Sequence, residues 1–188
     1  MEVIETSIPD VKLIKPQVFG DQRGFFMETW NAKIFAQYGI DVDFVQDNHS
    51  RSLKHTLRGL HYQIQQPQGK LVRCTRGEVF DVAVDLRADS STFSQWVGVF
   101  LSEENQHQLW VPPGFAHGFL VTGESADFQY KCTDFYAPEY ERTIHWADKT
   151  LSINWPLSND QFPLVSEKDA QGQLFSMAEK YDHQGGAL

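Results

Sequence analysis

Three short segments place reactive side chains on what should be extended backbone. In Leu57-Arg58-Gly59-Leu60-His61-Tyr62-Gln63, a period of two sends Leu57, Gly59, His61 and Gln63 to one face. Leu60, Tyr62 and Ile64 go to the other, which is suited to packing. The first face joins glycine, imidazole and amide, a set suited to a polar cavity. Imidazole titrates near neutrality, at about 6.5, so His61 is a candidate general base. Taken alone, a histidine in a strand is more often structural than catalytic. In Leu109–Gly118 the spacing Pro112-x-Gly114-x-x-His117 turns the chain between two strands and sets His117 at the start of the second. There it can point into the mouth of a barrel. In Phe128-Gln129-Tyr130-Lys131-Cys132-Thr133, the residues Phe128, Tyr130 and Cys132 share a face. A plain core strand and a strand carrying a working phenol fit that pattern equally well.

Metal binding is the first chemistry to test. The Pro-x-Gly-x-x-His spacing recurs in the second half of the cupin metal motif, whose first half supplies His-x-His and a carboxylate. Here the first pair reads His61-Tyr62-Gln63, and Ile64-Gln65-Gln66-Pro67-Gln68 follows without a glutamate. Glutamine is a poor ligand for soft or borderline metals, so no metal is expected and His61 is left free to act as a base. Anion handling comes next. Arg23 lies in a glycine-flanked turn, Arg58 borders the His61 segment, and Lys70 and Arg73 follow Gly69. Each taken singly is by default a solvated charge. Strict alternation puts Arg58 opposite His61, so a shared role needs either a bulge near Gly59 or a position for Arg58 at the strand's end.

The elements that must hold these side chains are mostly strands. Residues 3–20 read as strand broken by Pro9 and Pro16, followed by a turn at 20–24 and strand again over Phe25–Trp30. Asn31 is placed to cap a helix over Ala32–Tyr38 that Gly39 closes. Phe80, Val82, Val84 and Leu86 alternate with Val79, Asp81, Ala83 and Asp85. Further strands are predicted at Val42–Gln46, Arg58–Ile64, Leu71–Arg76, Gln95–Leu101, Leu109–Val111, Gly118–Val121 and Phe128–Asp134. Many short strands at regular spacing predict an all-β sandwich or barrel. Ser166-Glu167-Lys168-Asp169 starts a helix, and Leu174–Lys180 is predicted as a short terminal one. With 188 residues and neither repeat nor linker, the chain reads as one unit over 1–188, with a helical extension at about 166–180.

Composition narrows the partners. The 41% hydrophobic and 22% charged residues rule out wholesale disorder. A net charge of -9 makes nucleic acid and anionic lipid poor matches, yet leaves room for a few local cations to hold a phosphorylated small molecule. No apolar run approaches the roughly 20 residues of a membrane span. Cys74 and Cys132 form no disulfide framework, and the acidic N-terminus lacks the features of a secretory signal. A cytoplasmic protein is expected.

Six motifs in order then carry a resemblance: RGLHYQ at 58–63, GKLVR at 69–73, VFDVAVDL at 79–86, WVPPGFAHGF at 110–119, YKCTD at 130–134 and SEKD at 166–169. The set closely resembles the dTDP-4-dehydrorhamnose 3,5-epimerase family over about residues 2–180. The resemblance implies a metal-free, cofactor-free cupin jelly roll with short peripheral helices, usually a homodimer. It implies conversion of dTDP-4-dehydro-6-deoxy-D-glucose to dTDP-4-dehydro-L-rhamnose on the route to dTDP-L-rhamnose. By the same resemblance His61 is the base, Asp169 its carboxylate partner, Lys70 the enolate-stabilising cation and Tyr130 the proton donor. Arg23, Glu28, Gln46, Asn48, Arg58, His117, Glu141 and Lys168 match the residues that hold dTDP, some of them supplied by the neighbouring subunit. Asp169 also fits a helix-start residue that binds backbone N–H groups. Two competing functions remain at this point: a metal-dependent cupin oxygenase or isomerase, against which Gln63 speaks, and a non-catalytic nucleotide-sugar binder, which would leave His61, Asp169 and Tyr130 idle.

Overall fold

A computed structural model describes residues 1–158 and 160–182; the end of the expected unit, 183–188, lies outside the described residues. In chain order the elements are β1 (Glu2–Glu5), β2 (Lys12–Lys15), β3 (Val18–Asp21), β4 (Gly24–Met27), α1 (Ala32–Ala36), β5 (Gln46–Leu53), β6 (Leu57–Gln63) and β7 (Lys70–Arg76). There follow β8 (Glu78–Asp85), β9 (Trp96–Ser102), β10 (Gln108–Val111), β11 (Phe115–Val121), β12 (Ser125–Cys132), β13 (Glu141–Thr143) and α2 (Glu167–Ala170). One antiparallel sheet has the order β1-β2-β10-β7-β12-β5 and a second has β13-β6-β11-β8-β9; β3 and β4 pair only with each other. The interleaved order, with β7 between β10 and β12 and β11 between β6 and β8, is the expected jelly-roll arrangement.

The alternation along β8 explains how the layers stack. Phe80, Val82 and Val84 join Leu57, Leu60, Trp155, Phe175 and Tyr181 in one apolar cluster. Val79 and Ala83 join Val72, Leu109, Phe119 and Phe128 in another. The five-stranded sheet is therefore covered twice. The six-stranded sheet packs on its inner face, and the C-terminal segment from Ile144 to Tyr181 packs on its outer face. A third cluster of Ile14, Phe35, Ile40, Leu71 and Trp110 forms where α1 lies on the far side of the six-stranded sheet. At five residues α1 is too short to persist alone. Burial of Phe35, roughly 1.5–3 kcal/mol, and the cap from Asn31 to Lys33 N and Ile34 N hold it in place.

Three expectations need correction. Val42–Val45 is not a strand; β5 begins at Gln46 and runs to Leu53. Extension of β4 to Trp30 fails, because the strand ends at Met27. Leu174–Lys180 forms a single turn and not a helix: Met177 N and Ala178 N bond to Leu174 O. Phe175, Ala178 and Tyr181 are instead drawn down onto the sheet, and the Lys180 ammonium donates to the Phe175 and Ala178 carbonyls. The expected helix start is present, with Ser166 Oγ accepting from Asp169 N at 3.1 Å.

Candidate active site

The site opens between the two sheets, on their facing sides. On β6 the alternation is reset once. His61 pairs with His117 and Arg58 with Phe119, so β6 carries one residue more than β11 between the two pairs. Gly59 occupies the irregularity at φ 124°, and a Cβ there would lie 2.6 Å from Gly118 Cα. Of the two arrangements that allow a joint role for Arg58 and His61, the structure has the bulge near Gly59. Both side chains line one inner cavity of about 180 Å3, together with Lys70, His117, Phe128 and Tyr130.

Two histidines meet there, each backed by a buried carboxylate. His61 Nε2 is 2.5 Å from Asp169 Oδ1, and Asp169 is 3% exposed. Ser166 caps α2, so the Asp169 side chain does not do so and instead reaches β6. Burial by itself raises the Asp169 pKa, but hydrogen bonds with His61, Ser166 and the Gly59 backbone outweigh it and hold the carboxyl below its ordinary value. Beside it, His117 Nε2 sits 3.0 and 2.9 Å from the two oxygens of Asp81. Asp81 is fully buried and His117 is 7% exposed.

Lys70 starts β7 opposite Cys132, and Tyr130 lies two residues away on β12. Burial pushes the Lys70 ammonium below an ordinary lysine, with Cys132, Glu141 and Asp81 pulling partly the other way. Among the described residues Lys70 makes no ion pair, so its charge is available to a ligand. Burial moves the Tyr130 phenol upward, and Cys132 adds to that shift. Tyr130 therefore keeps its proton at neutral pH.

The cavity opens into a vestibule of about 290 Å3, lined by Gln46, Asn48, Gln63, Gln68, Tyr136 and Glu141 as well as His61, Lys70 and Tyr130. Lys168 reaches Glu141 Oε1 at 2.8 Å, and the Tyr136 hydroxyl donates to Glu141 Oε2 at 2.9 Å. Gln46 Nε2 donates to Asn48 Oδ1 at 3.1 Å, and Gln46 Oε1 accepts from Tyr136 N at 2.9 Å. Gln63 has a different task from the ligand position it occupies in the motif. Its amide donates to the carbonyls of Gln66 and Phe135 and accepts from Ala137 N at 2.9 Å. Its hydrogen-bonding capacity goes to tethering the Phe135–Ala137 loop that carries Tyr136 over the opening.

Ten of the twelve expected site residues thus gather at one opening; Arg23 and Glu28 do not. Arg23 sits at the tip of the β3–β4 hairpin, 86% exposed at its side chain and paired with Asp21 at 2.5 Å. Glu28 accepts from Asn31 Nδ2 at 3.1 Å. Arg73 points to the far face of the six-stranded sheet, as its spacing from Lys70 dictates. There it donates to Gln129 Oε1 at 3.1 Å and lines a groove of about 380 Å3. Asp81, Tyr136 and the tether of Gln63 were not expected. Asp81 did have a signal, since it is an acid on an alternating face between Val79 and Ala83.

Fold and site define a cupin furnished for acid–base work: two imidazoles on carboxylates, a half-buried ammonium with no ion pair among the described residues and a protonated phenol around one cavity. Comparison with known proteins narrows the class. The family model of dTDP-4-dehydrorhamnose 3,5-epimerase matches residues 5–177. A dTDP-4-dehydrorhamnose 3,5-epimerase of Pseudomonas aeruginosa is 60% identical over 180 residues, covering 95% of this chain and 98% of its own. The crystal structure of a dTDP-6-deoxy-D-glucose-3,5-epimerase from Legionella pneumophila, in complex with dTDP-4-keto-L-rhamnose, superposes with a TM-score of 0.90. It is 55% identical, with 94% of this chain and 93% of that one covered. A 3'-monoepimerase from Streptomyces bikiniensis, in complex with dTDP-quinovose, gives 0.84 at 31% identity, covering 92% and 87%. The chain belongs to the dTDP-4-dehydrorhamnose 3,5-epimerase family. It is an enzyme with that activity, acting in dTDP-L-rhamnose biosynthesis.

Proposed function

We propose that this chain inverts C3 and C5 of dTDP-4-dehydro-6-deoxy-D-glucose with His61 as base and Tyr130 as acid, without metal or cofactor. The C4 ketone acidifies the hydrogens on both neighbouring carbons. His61 takes one of them, and the electron pair moves into an enolate. The Lys70 ammonium, half-buried and without an ion-pair partner among the described residues, stabilises the enolate oxygen; a preorganised donor of this kind contributes roughly 10²–10³ in rate. Tyr130 returns a proton to the opposite face of the carbon, and His61 and Tyr130 then recover their starting states through solvent. A positioned base contributes about 10²–10⁴. Asp169 holds the His61 ring and favours the imidazolium that forms. The observation that carries the reading is this grouping: a carboxylate-backed imidazole, a free ammonium and a phenol that keeps its proton, around one cavity.

In the inner cavity His117 holds the sugar ring and Arg58 the adjoining phosphate. Gln46, Asn48, Glu141 and Lys168, in the vestibule, hold the nucleoside. Arg23 and Glu28 serve the site of a second copy, in a homodimer. Three features support this. The hairpin carrying Arg23 exposes Phe19 and Phe26 at 61% and 70%, Arg23 lies outside its own chain's cavity, and the buried Gln108 Nε2 on the sheet's far face has no hydrogen-bond partner among the described residues. The protein works as one catalytic unit per chain in the cytoplasm; no helix among the described residues is long and apolar enough to cross a membrane.

Incubation with the ketosugar in D2O, read by NMR, tests the residue roles. Wild-type protein should place deuterium at C3 and C5 of the L-configured product. His61→Ala should lose exchange at both carbons while binding dTDP within about threefold of wild type. Exchange that survives the substitution would move the base elsewhere.

A further inference from the structure

The His117–Asp81 pair is not needed by the reaction as written. Asp81 projects from β8 into the space between the sheets, where its neighbours on the same face are Val79 and Ala83. A fully buried carboxylate in apolar surroundings is costly unless it is bonded, and both of its oxygens are spent on one atom, His117 Nε2. The His117 ring is further held by Phe128, stacked at 6.2 Å between centroids and 20° between planes. Its Nδ1 takes no hydrogen bond among the described residues, and the ring lines the inner cavity beside Lys70. His117 is also the cross-strand partner of His61, so the two imidazoles stand on adjacent strands at the same height.

We propose that Asp81 is a positioning residue: by gripping His117 at Nε2 it aims Nδ1 at an oxygen of the hexulose and so fixes the ring over His61. This deepens the assignment of His61 and the sugar to the inner cavity, and rests on it. An imidazole pinned at one nitrogen presents the other in a fixed direction. Released, it turns about its side-chain bonds and the sugar oxygen loses its anchor. A displacement of about 1 Å at the reacting carbon costs roughly 10²-fold in rate. The nucleotide, held in the vestibule, is not touched by the change.

The test uses Asp81→Ala, His117→Ala and the double variant, with kcat, KM and the dissociation constant of dTDP alone. Asp81→Ala should lower kcat about 10²-fold and leave dTDP affinity within about twofold. Asp81→Asn, which keeps an acceptor for Nε2, should recover most of that loss. In the His117→Ala background Asp81→Ala should make no further difference, because the effect passes through His117. Losses that multiply across the two sites, or weakened dTDP binding, would overturn the proposal. If Asp81→Ala does not fold, ¹⁵N NMR of the wild-type His117 ring decides: Nε2 must carry the proton, and a bare Nε2 overturns it. Wild-type protein that fails to exchange the sugar's hydrogens would instead bring down the functional reading on which this one stands.

Discussion

At the scale of single residues the site works by moving ordinary groups away from ordinary values in opposite directions. Burial lowers the Lys70 pKa and raises that of Tyr130. The sign follows directly. In its proposed role Lys70 must be charged to hold an enolate, and its depressed value means that charge is lost at lower pH than in a free lysine. Tyr130 must be protonated to act as an acid, and its raised value keeps it so further into the alkaline range. The alkaline fall in kcat/KM should therefore report Lys70. Replacement by arginine, which stays charged throughout, should move that limb to higher pH, whereas Lys70→Met should lower kcat about 10²–10³-fold. A limb unmoved in Lys70→Arg would assign it to another group.

At the scale of elements, the reset in β6 decides which side chains meet. Gly59 at φ 124° approaches Gly118 too closely for any side chain. Gly59→Ala should cost about 1–3 kcal/mol from backbone conformation alone, read as a lowered denaturation midpoint, and should abolish activity by turning Arg58 away from His61. A variant with wild-type turnover would show the reset to be dispensable. The same element marks the limit of what the amino-acid sequence discloses. β8 is legible because Phe80, Val82 and Val84 alternate cleanly with Val79 and Ala83. β5 is not, because the positions facing the cavity hold Gln46, Asn48, Ser50 and Ser52: polar side chains have taken the places where apolar residues would announce a strand. Leu174–Lys180 misleads for the converse reason. Phe175 and Ala178 have helical spacing, but the sheet beneath claims them before a helix can form. The proposed catalytic residues were legible as a motif set. Their convergence was not, since it depends on one extra residue in β6 that alternation alone argues against.

At the scale of the molecule, the β3–β4 hairpin carries Arg23 away from the cavity of its own chain. If it serves a second copy, two defective variants should repair each other. Arg23→Ala lacks the arm and His61→Ala lacks the base, but a mixed pair holds one site with both. Equal amounts, unfolded together and refolded, should regain about a quarter of wild-type activity under limiting substrate. Activity no higher than the mean of the two parents would place Arg23 outside a shared site. Asp169 has a consequence of another kind. Every strand of both sheets precedes it in the chain, yet among the described residues its side chain alone bonds the ring of His61, the proposed base. Order along the chain thus separates scaffold from chemistry: synthesis lays down the strands first and the carboxylate behind His61 after them.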